Sequence, residues 1–260
     1  MKKLLKLLFF LILIISGFVY FLIKPIPSSL PVSSALPMAE PQVLDQLPEI
    51  EFQSKTYRYS YVVISDPTKL QLFSNHQNQT SSTDLIQTHS CSILTNGNFY
   101  DTNDQPLGWL FSQGKTIFKP ITSSLFNGYF TLFSGQPKLD FELPDSEVDL
   151  GLQSGPMLIF NSKPLDLKLT SDQPRRRVIL ALNDQPQIIF LVLTGLDSPF
   201  SGPLLVDTPA LTQAVAKAIN QTFVSAFNLD GGSASAFYSP SVHLKEYSYI
   251  GSFFCYNDSI

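Results

Sequence analysis

The chain has 260 residues, 44% of them hydrophobic and 15% charged, with a formal net charge of −4. That mild acidity offers no basic face to a phosphate backbone, which excludes nucleic acid as a partner. Twenty-one Phe and ten Tyr against one Trp and three Met, with β-branched residues gathered in short runs, favour a strand-rich interior over a helical bundle.

At the N-terminus, Lys2, Lys3 and Lys6 precede an apolar run from Leu7 to Ile23 that is closed by Lys24. At 1.5 Å rise per residue the run, with Leu4 and Leu5, reaches roughly 25–30 Å, about one hydrocarbon thickness. A cleaved signal peptide would carry a shorter apolar stretch of about 7–15 residues ending near a small-residue site. The candidates Ala35 and Ala39 lie well downstream, so residues 1–24 are expected to be an uncleaved membrane anchor. The basic residues ahead of the run place that end in the cytoplasm and the rest outside, periplasmic or extracellular. Residues 25–49, rich in Pro and Ser and without periodicity, read as a semi-extended stalk. Residues 50–260 are expected to form one domain, since about 200 residues suffice for a single core.

From Ile50 onward the chain reads as strand after strand: "YRYSYVVIS", "KLQLF", "CSILTNG", "KTIFKPI", "GYFTLF", "KLDFEL", "GPMLIF", "RRVILAL", "PQIIFLVLTG", "SAFNLDGG" and "YIGSFFCYN". Turn pairs such as Asn127-Gly128, Ser134-Gly135 and Asn183-Asp184 separate them. Two helices are predicted. "SSTDLIQTH" has Ser82 or Thr83 as its cap, and "VDTPALTQAVAKAIN" has Asp207 or Thr208 as cap, Pro209 near its first position, and Leu211, Val215 and Ile219 along one face. Each helix leads into a strand whose end carries an Asn, a Gly and an Asp.

Cys91 and Cys255 sit in apolar surroundings far apart in sequence. An oxidising compartment would permit a disulfide between the last strand and an interior one, and two buried thiols explain the sequence equally well. There is no CxxC, and His76, His89 and His243 are scattered, so no zinc site is expected. Asp101, Asn103 and Asp104 form an oxygen-rich loop that could offer ligands to Ca²⁺. The loop lacks the full EF-hand pattern and is better read as a polar turn, and no cofactor is expected.

Three strand ends carry the candidate chemistry. Asn96, Gly97 and Asn98 follow an apolar strand and precede Phe99, Tyr100 and Asp101. Gln153, Ser154 and Gly155 precede Pro156 and another strand. Asn228, Asp230, Gly231, Gly232 and Ser233 close a third. Glycine admits close backbone approach, while Asn and Asp supply short hydrogen-bonding groups. Arg175, Arg176 and Arg177 stand at the mouth of an interior strand. Alternation sends Arg176 to one face and its neighbours to the other, so at least one guanidinium should line a cleft suited to phosphate or carboxylate. The spacing around Ser154 is not that of a nucleophile elbow, which argues against a serine hydrolase.

"NGNFYD", Pro106-Leu107-Gly108, "QSGPML", the Arg-rich strand start, the helix near "TPALTQ" and "FNLDGGSAS" occur in the order and spacing of the phosphodiester glycosidase family. The chain resembles that family, which has exopolysaccharide-associated members, over roughly Tyr57 to Asn257. Ser233 and Ala234 stand where the family often has Gly and Ser, and Asn98 replaces a usual Gly.

The resemblance implies an α+β fold: one β-rich domain with a mixed twisted sheet and a few packed helices, its motifs on one rim. It implies a hydrolase acting on a sugar-1-phosphodiester, or a related glycosidic linkage, in a cell-envelope or exported glycan. Asp230 and Asp101 would be its carboxylates, and Arg176 or Arg177 would meet the phosphate. Asn96, Gly97, Asn98, Gln153, Ser154, Gly155, Asn228, Gly231, Gly232 and Ser233 would surround the sugar, with Phe99, Tyr100 and Trp109 available for stacking. The alternative is a non-catalytic glycan-binding or envelope-assembly module on the same fold.

Overall fold

The computed structural model describes residues 44–258; the expected anchor and most of the expected stalk lie outside them. Among the described residues no helix is long and apolar enough to cross a membrane. The tail of the stalk already joins the fold: Leu47 is buried, and Asp45 pairs with Arg58 at 3.0 Å.

In chain order the first elements are β1 (Glu49–Phe52), β2 (Lys55–Ile64), β3 (Leu70–Ser74), α1 (Ser82–His89), β4 (Ile93–Asn96), β5 (Phe99–Tyr100) and β6 (Pro106–Leu107). Next come β7 (Leu110–Ser112), β8 (Lys115–Phe118), β9 (Gly128–Phe133), β10 (Gln136–Asp140), β11 (Leu150–Ser154), β12 (Met157–Phe160) and β13 (Lys163–Pro164). Then follow β14 (Arg177–Asn183), β15 (Ile188–Gly195), α2 (Thr208–Ala218), β16 (Phe223–Asn228), β17 (Phe237–Ser239), β18 (Val242–Leu244) and β19 (Ser252–Tyr256).

A seven-stranded sheet runs β1-β2-β15-β14-β16-β12-β13, and two five-stranded sheets run β10-β9-β11-β7-β8 and β18-β17-β4-β19-β3. Strands β5 and β6 form a separate ribbon. Every ladder among the described residues is antiparallel, which corrects the expectation of one mixed sheet. The reason is connectivity, because parallel neighbours need long crossovers and among the described residues only two α-helices are available to make them.

Strands β14 and β15 are covered on both faces, as their near-continuous apolar sequence requires. Val178, Leu180, Phe190 and Val192 point into a core shared with Phe130, Leu152 and Phe254 of the two smaller sheets. Ile179, Ala181, Ile189 and Leu191 point the other way, onto Leu211 and Val215 of α2. The predicted stripe of α2 is therefore its buried face.

Helix α1 is capped by Ser81, whose hydroxyl accepts from Asp84 N at 3.2 Å, rather than by Ser82 or Thr83. Its Leu85 and Ile86 pack on Leu94, Phe253 and Cys255. In that cluster Cys91 and Cys255 form a disulfide, with Cα atoms 5.3 Å apart.

Candidate active site

The ends of β4 and β16 belong to different sheets and are stitched together by backbone and amide groups. Asn96 Nδ2 donates to Asp230 O at 2.8 Å, while its Oδ1 accepts from Ala236 N at 3.0 Å. Asp230 N donates to Gly97 O at 3.0 Å. One asparagine thus holds both ends of the 230–236 loop.

Three further polar residues of the motifs serve the same kind of framing. Asn228 Nδ2 donates to Leu229 O and Gly155 O, and Ser154 Oγ donates to Asn228 O at 2.8 Å. Gln153 Oε1 accepts from Trp109 N and Ile121 N, and its Nε2 donates to Ile121 O and Phe126 O. Its amide is saturated and braces three loop segments, leaving nothing to offer a sugar. Ser252 Oγ donates to Asn98 Oδ1 and accepts from Asn98 N. Asn98 Nδ2 and Asn228 Oδ1, a donor and an acceptor, are buried without a hydrogen-bond partner.

The arginines divide differently from the expectation. Arg176 is fully buried under the 230–236 loop: Nε donates to Ser235 Oγ at 2.7 Å, Nη2 to Ser235 O and Lys245 O, and the guanidinium lies 5.0 Å from the Phe200 ring centre. Burial pulls its pKa down to about 10, against the opposing charge of Glu246. Arg177 turns away, donating to Pro203 O and Gln173 O and pairing with Asp172 at 3.3 Å. The cation beside the carboxylate is Arg175, exposed, with Nη1 3.3 Å from the place a Cβ on Gly232 would take. The correction has a simple cause: β14 begins at Arg177, so strand alternation does not extend back to Arg175.

Asp230 is half-buried at the start of the loop, and burial pushes its carboxyl up to about 8. The Gly231 N–H, 2.7 Å from Oδ1, and the Arg175 charge only partly offset this. Gly231 must be glycine, because a Cβ would fall 2.6 Å from Arg176 O. Gly232 N donates to that same carbonyl at 2.9 Å, so neither glycine amide of the motif is free for a ligand.

The wall of the site is aromatic and hydroxylic. Tyr100 and Tyr249 stack with ring centres 4.3 Å apart. Tyr100 OH donates to Tyr249 O at 2.9 Å, and Tyr249 OH donates to Asp104 at 3.0 Å. Burial raises the pKa of both phenols, and the charges of Asp230 and Asp104 add to the effect. Ser248 Oγ reaches Ser233 Oγ at 3.3 Å, and Ser233 O accepts from Tyr247 N and Ser248 N. Behind the pair stands His76, edge-on to Tyr100 and Phe118, with neither ring nitrogen hydrogen-bonded.

The second carboxylate felt by this wall is Asp104, not Asp101. Asp101 Oδ1 accepts from Asn103 N and Gln105 N and so closes its own turn. Among the described residues no group of three His, Cys, Asp or Glu side chains stands close enough to hold a metal ion. Tyr249, Ser248, Asp104 and Arg175 are absent from the sequence-derived site. Tyr249 and Ser248 lie in a loop whose sequence gives no motif signal, Asp104 reads in the sequence as part of a polar turn, and Arg175 as the outermost of three arginines.

The fold is similar to that of the zebrafish N-acetylglucosamine-1-phosphodiester alpha-N-acetylglucosaminidase catalytic domain, a structure auto-inhibited by its pro-peptide. The TM-score is 0.65 at 14% identity, covering 82% of this chain and 81% of that one. A protein of Synechocystis matches with a TM-score of 0.54 at 14% identity, over 80% of this chain and 61% of its own. A protein of Burkholderia pseudomallei K96243 gives 0.54 at 10% identity, over 78% and 74%. No curated protein sequence gives a significant match. At such identities the structural likenesses speak for the fold, and the sequence supplies the rest. Residues 89–252, well over half of the chain, match the phosphodiester glycosidase family, to which this protein belongs.

Proposed function

We propose that the chain is an extracytoplasmic hydrolase that opens a sugar-1-phosphodiester, or a related glycosidic linkage, in a cell-envelope or exported glycan. The observation that carries the reading is the placement of Asp230, half-buried in the closing motif with Gly231 N 2.7 Å from its Oδ1 and Arg175 against Gly232, where burial raises its pKa to about 8. A group that titrates near neutral pH can both take and return a proton. The bond type is supported by the name of the zebrafish enzyme, which acts on an N-acetylglucosamine-1-phosphodiester.

In the proposed step, ionised Asp230 takes a proton from water as the water oxygen bonds to the anomeric carbon. The bond from that carbon to the phosphate oxygen breaks, and its electron pair leaves with the phosphate monoester. Arg175 faces the phosphate charge, where a guanidinium fork is suited to bind. Tyr100 and Tyr249 offer ring surface and hydroxyl groups to the sugar. Arg176 and the motif asparagines act beneath the loop, setting its shape.

The location outside the cytoplasm is supported by the Cys91–Cys255 disulfide, a bond that oxidising compartments favour. The basic and apolar N-terminal run would tether the domain to the cytoplasmic membrane.

The test is hydrolysis of a panel of sugar-1-phosphodiesters in ¹⁸O-water, with the label located by mass spectrometry. Label on the sugar supports the step above, and label on phosphate moves the chemistry to phosphorus. Asp230→Asn should lower kcat by about 10²–10⁴-fold while binding persists, and wild-type kcat/KM should rise with pH towards a pKa near 8. Glycan binding without product from any member of the panel would identify a binding module instead.

A further inference from the structure

A groove of about 510 Å³ opens beside β7, β8 and β9, and none of its lining residues belongs to the Asp230 cluster. Its volume falls within the roughly 300–1,000 Å³ of ordinary ligand sites. The floor is aromatic: Phe133 is 49% exposed and Phe111 half-buried, with the buried Trp109 packed beside Phe111 at 6.1 Å between ring centres. Gly151 seats the indole, since a Cβ there would fall 2.2 Å from its ring.

The rim is acidic. The segment "DFELPDSEVD", residues 140–149, carries five carboxylates, of which Glu147 and Asp149 line the groove. Among the described residues only Asp140 of this segment forms an ion pair, with Lys138. Asp149 is fixed by Ser134 N, 2.6 Å from its Oδ2. No Lys, Arg or His lines the groove, while Thr116 adds a hydroxyl.

Aromatic rings take the apolar faces of pyranoses, and an all-negative rim selects a cation. We infer that this groove binds an oligosaccharide of 2-amino sugars, its ring faces on Phe111 and Phe133 and its ammonium groups towards Glu147 and Asp149. The site is independent of Asp230 and of the reaction proposed there.

The test is calorimetric titration of the full-length chain with a glucosamine tetramer, its fully N-acetylated counterpart and tetralysine. The glucosamine tetramer should bind, with the other two at least tenfold weaker. Phe133→Ala should weaken it about fivefold and Glu147→Gln about threefold, while 0.5 M NaCl weakens it further. Asp230→Asn should leave it unchanged, so failure here and failure of the proposed reaction read out separately. Both groove positions are exposed, and a wild-type melting curve for each variant establishes that it is folded. No binding of the amine tetramer, equal binding of the acetylated one, tighter binding of tetralysine, or indifference to Phe133→Ala would each overturn the inference.

Discussion

Asp230 and His76 set opposing pH dependences on the stability of the fold. The Asp230 carboxyl is raised from the usual carboxylate range to about 8, so the folded chain holds a proton that the unfolded chain has released. Its stabilising contribution is full below about pH 4 and is lost as pH rises through 8. For His76, burial lowers the pKa to about 4, so stability is lost as pH falls from the unfolded value of about 6.5 through 4. The two slopes oppose each other between pH 4 and 6.5 and leave only the Asp230 loss above that window. Asp230→Asn should therefore raise the Tm at pH 8 by several degrees and leave it nearly unchanged at pH 4, as thermal melts across this range would reveal. Arg175→Ala should raise KM for a phosphodiester with little change in Tm, because its side chain is exposed; steady-state kinetics and melting together check both halves. The motif positions were legible in the sequence, but the side-chain roles were less so. A buried Asn or Gln carries the same donor and acceptor as a peptide group, so Asn96 and Gln153 tie main chains together where sequence alone suggests contact with sugar.

Among the elements, the long apolar strands β14 and β15 and the stripe of α2 were readable because their periodicity and burial agree. Strand β11 was not, although all five of its residues are buried. "LGLQS" lacks a β-branched residue, and its Gly and Gln look like turn material. Both have tertiary explanations: Gly151 receives the indole of Trp109, and Gln153 satisfies backbone groups of the 109–126 region. Gly151→Ala should cost about 1–3 kcal/mol by overpacking, measurable as a lower denaturant midpoint with an unchanged m-value. Gln153→Leu should cost more, on the order of 3 kcal/mol, because buried N–H and C=O groups lose their partners together.

At the scale of the whole molecule, three antiparallel sheets meet in one core, and the disulfide joins positions separated by 164 residues. Closing so long a loop restricts the unfolded chain by about 3–5 kcal/mol. For a domain of this size, reduction or the Cys91→Ser, Cys255→Ser pair should lower the Tm by about 10 °C, which calorimetry with and without reductant would measure. The position of β19 has a further consequence. It lies between β4 and β3, so two strands made early have no common partner until a strand made much later arrives. Strand β4 can pair with β17 before then, but its join to β3, and the bond from Gly97 N to Ser252 O at its end, wait for β19. The support beneath the Asp230 loop is thereby completed only when synthesis has passed Tyr256, and the early strands β3 and β4 stay unjoined until then.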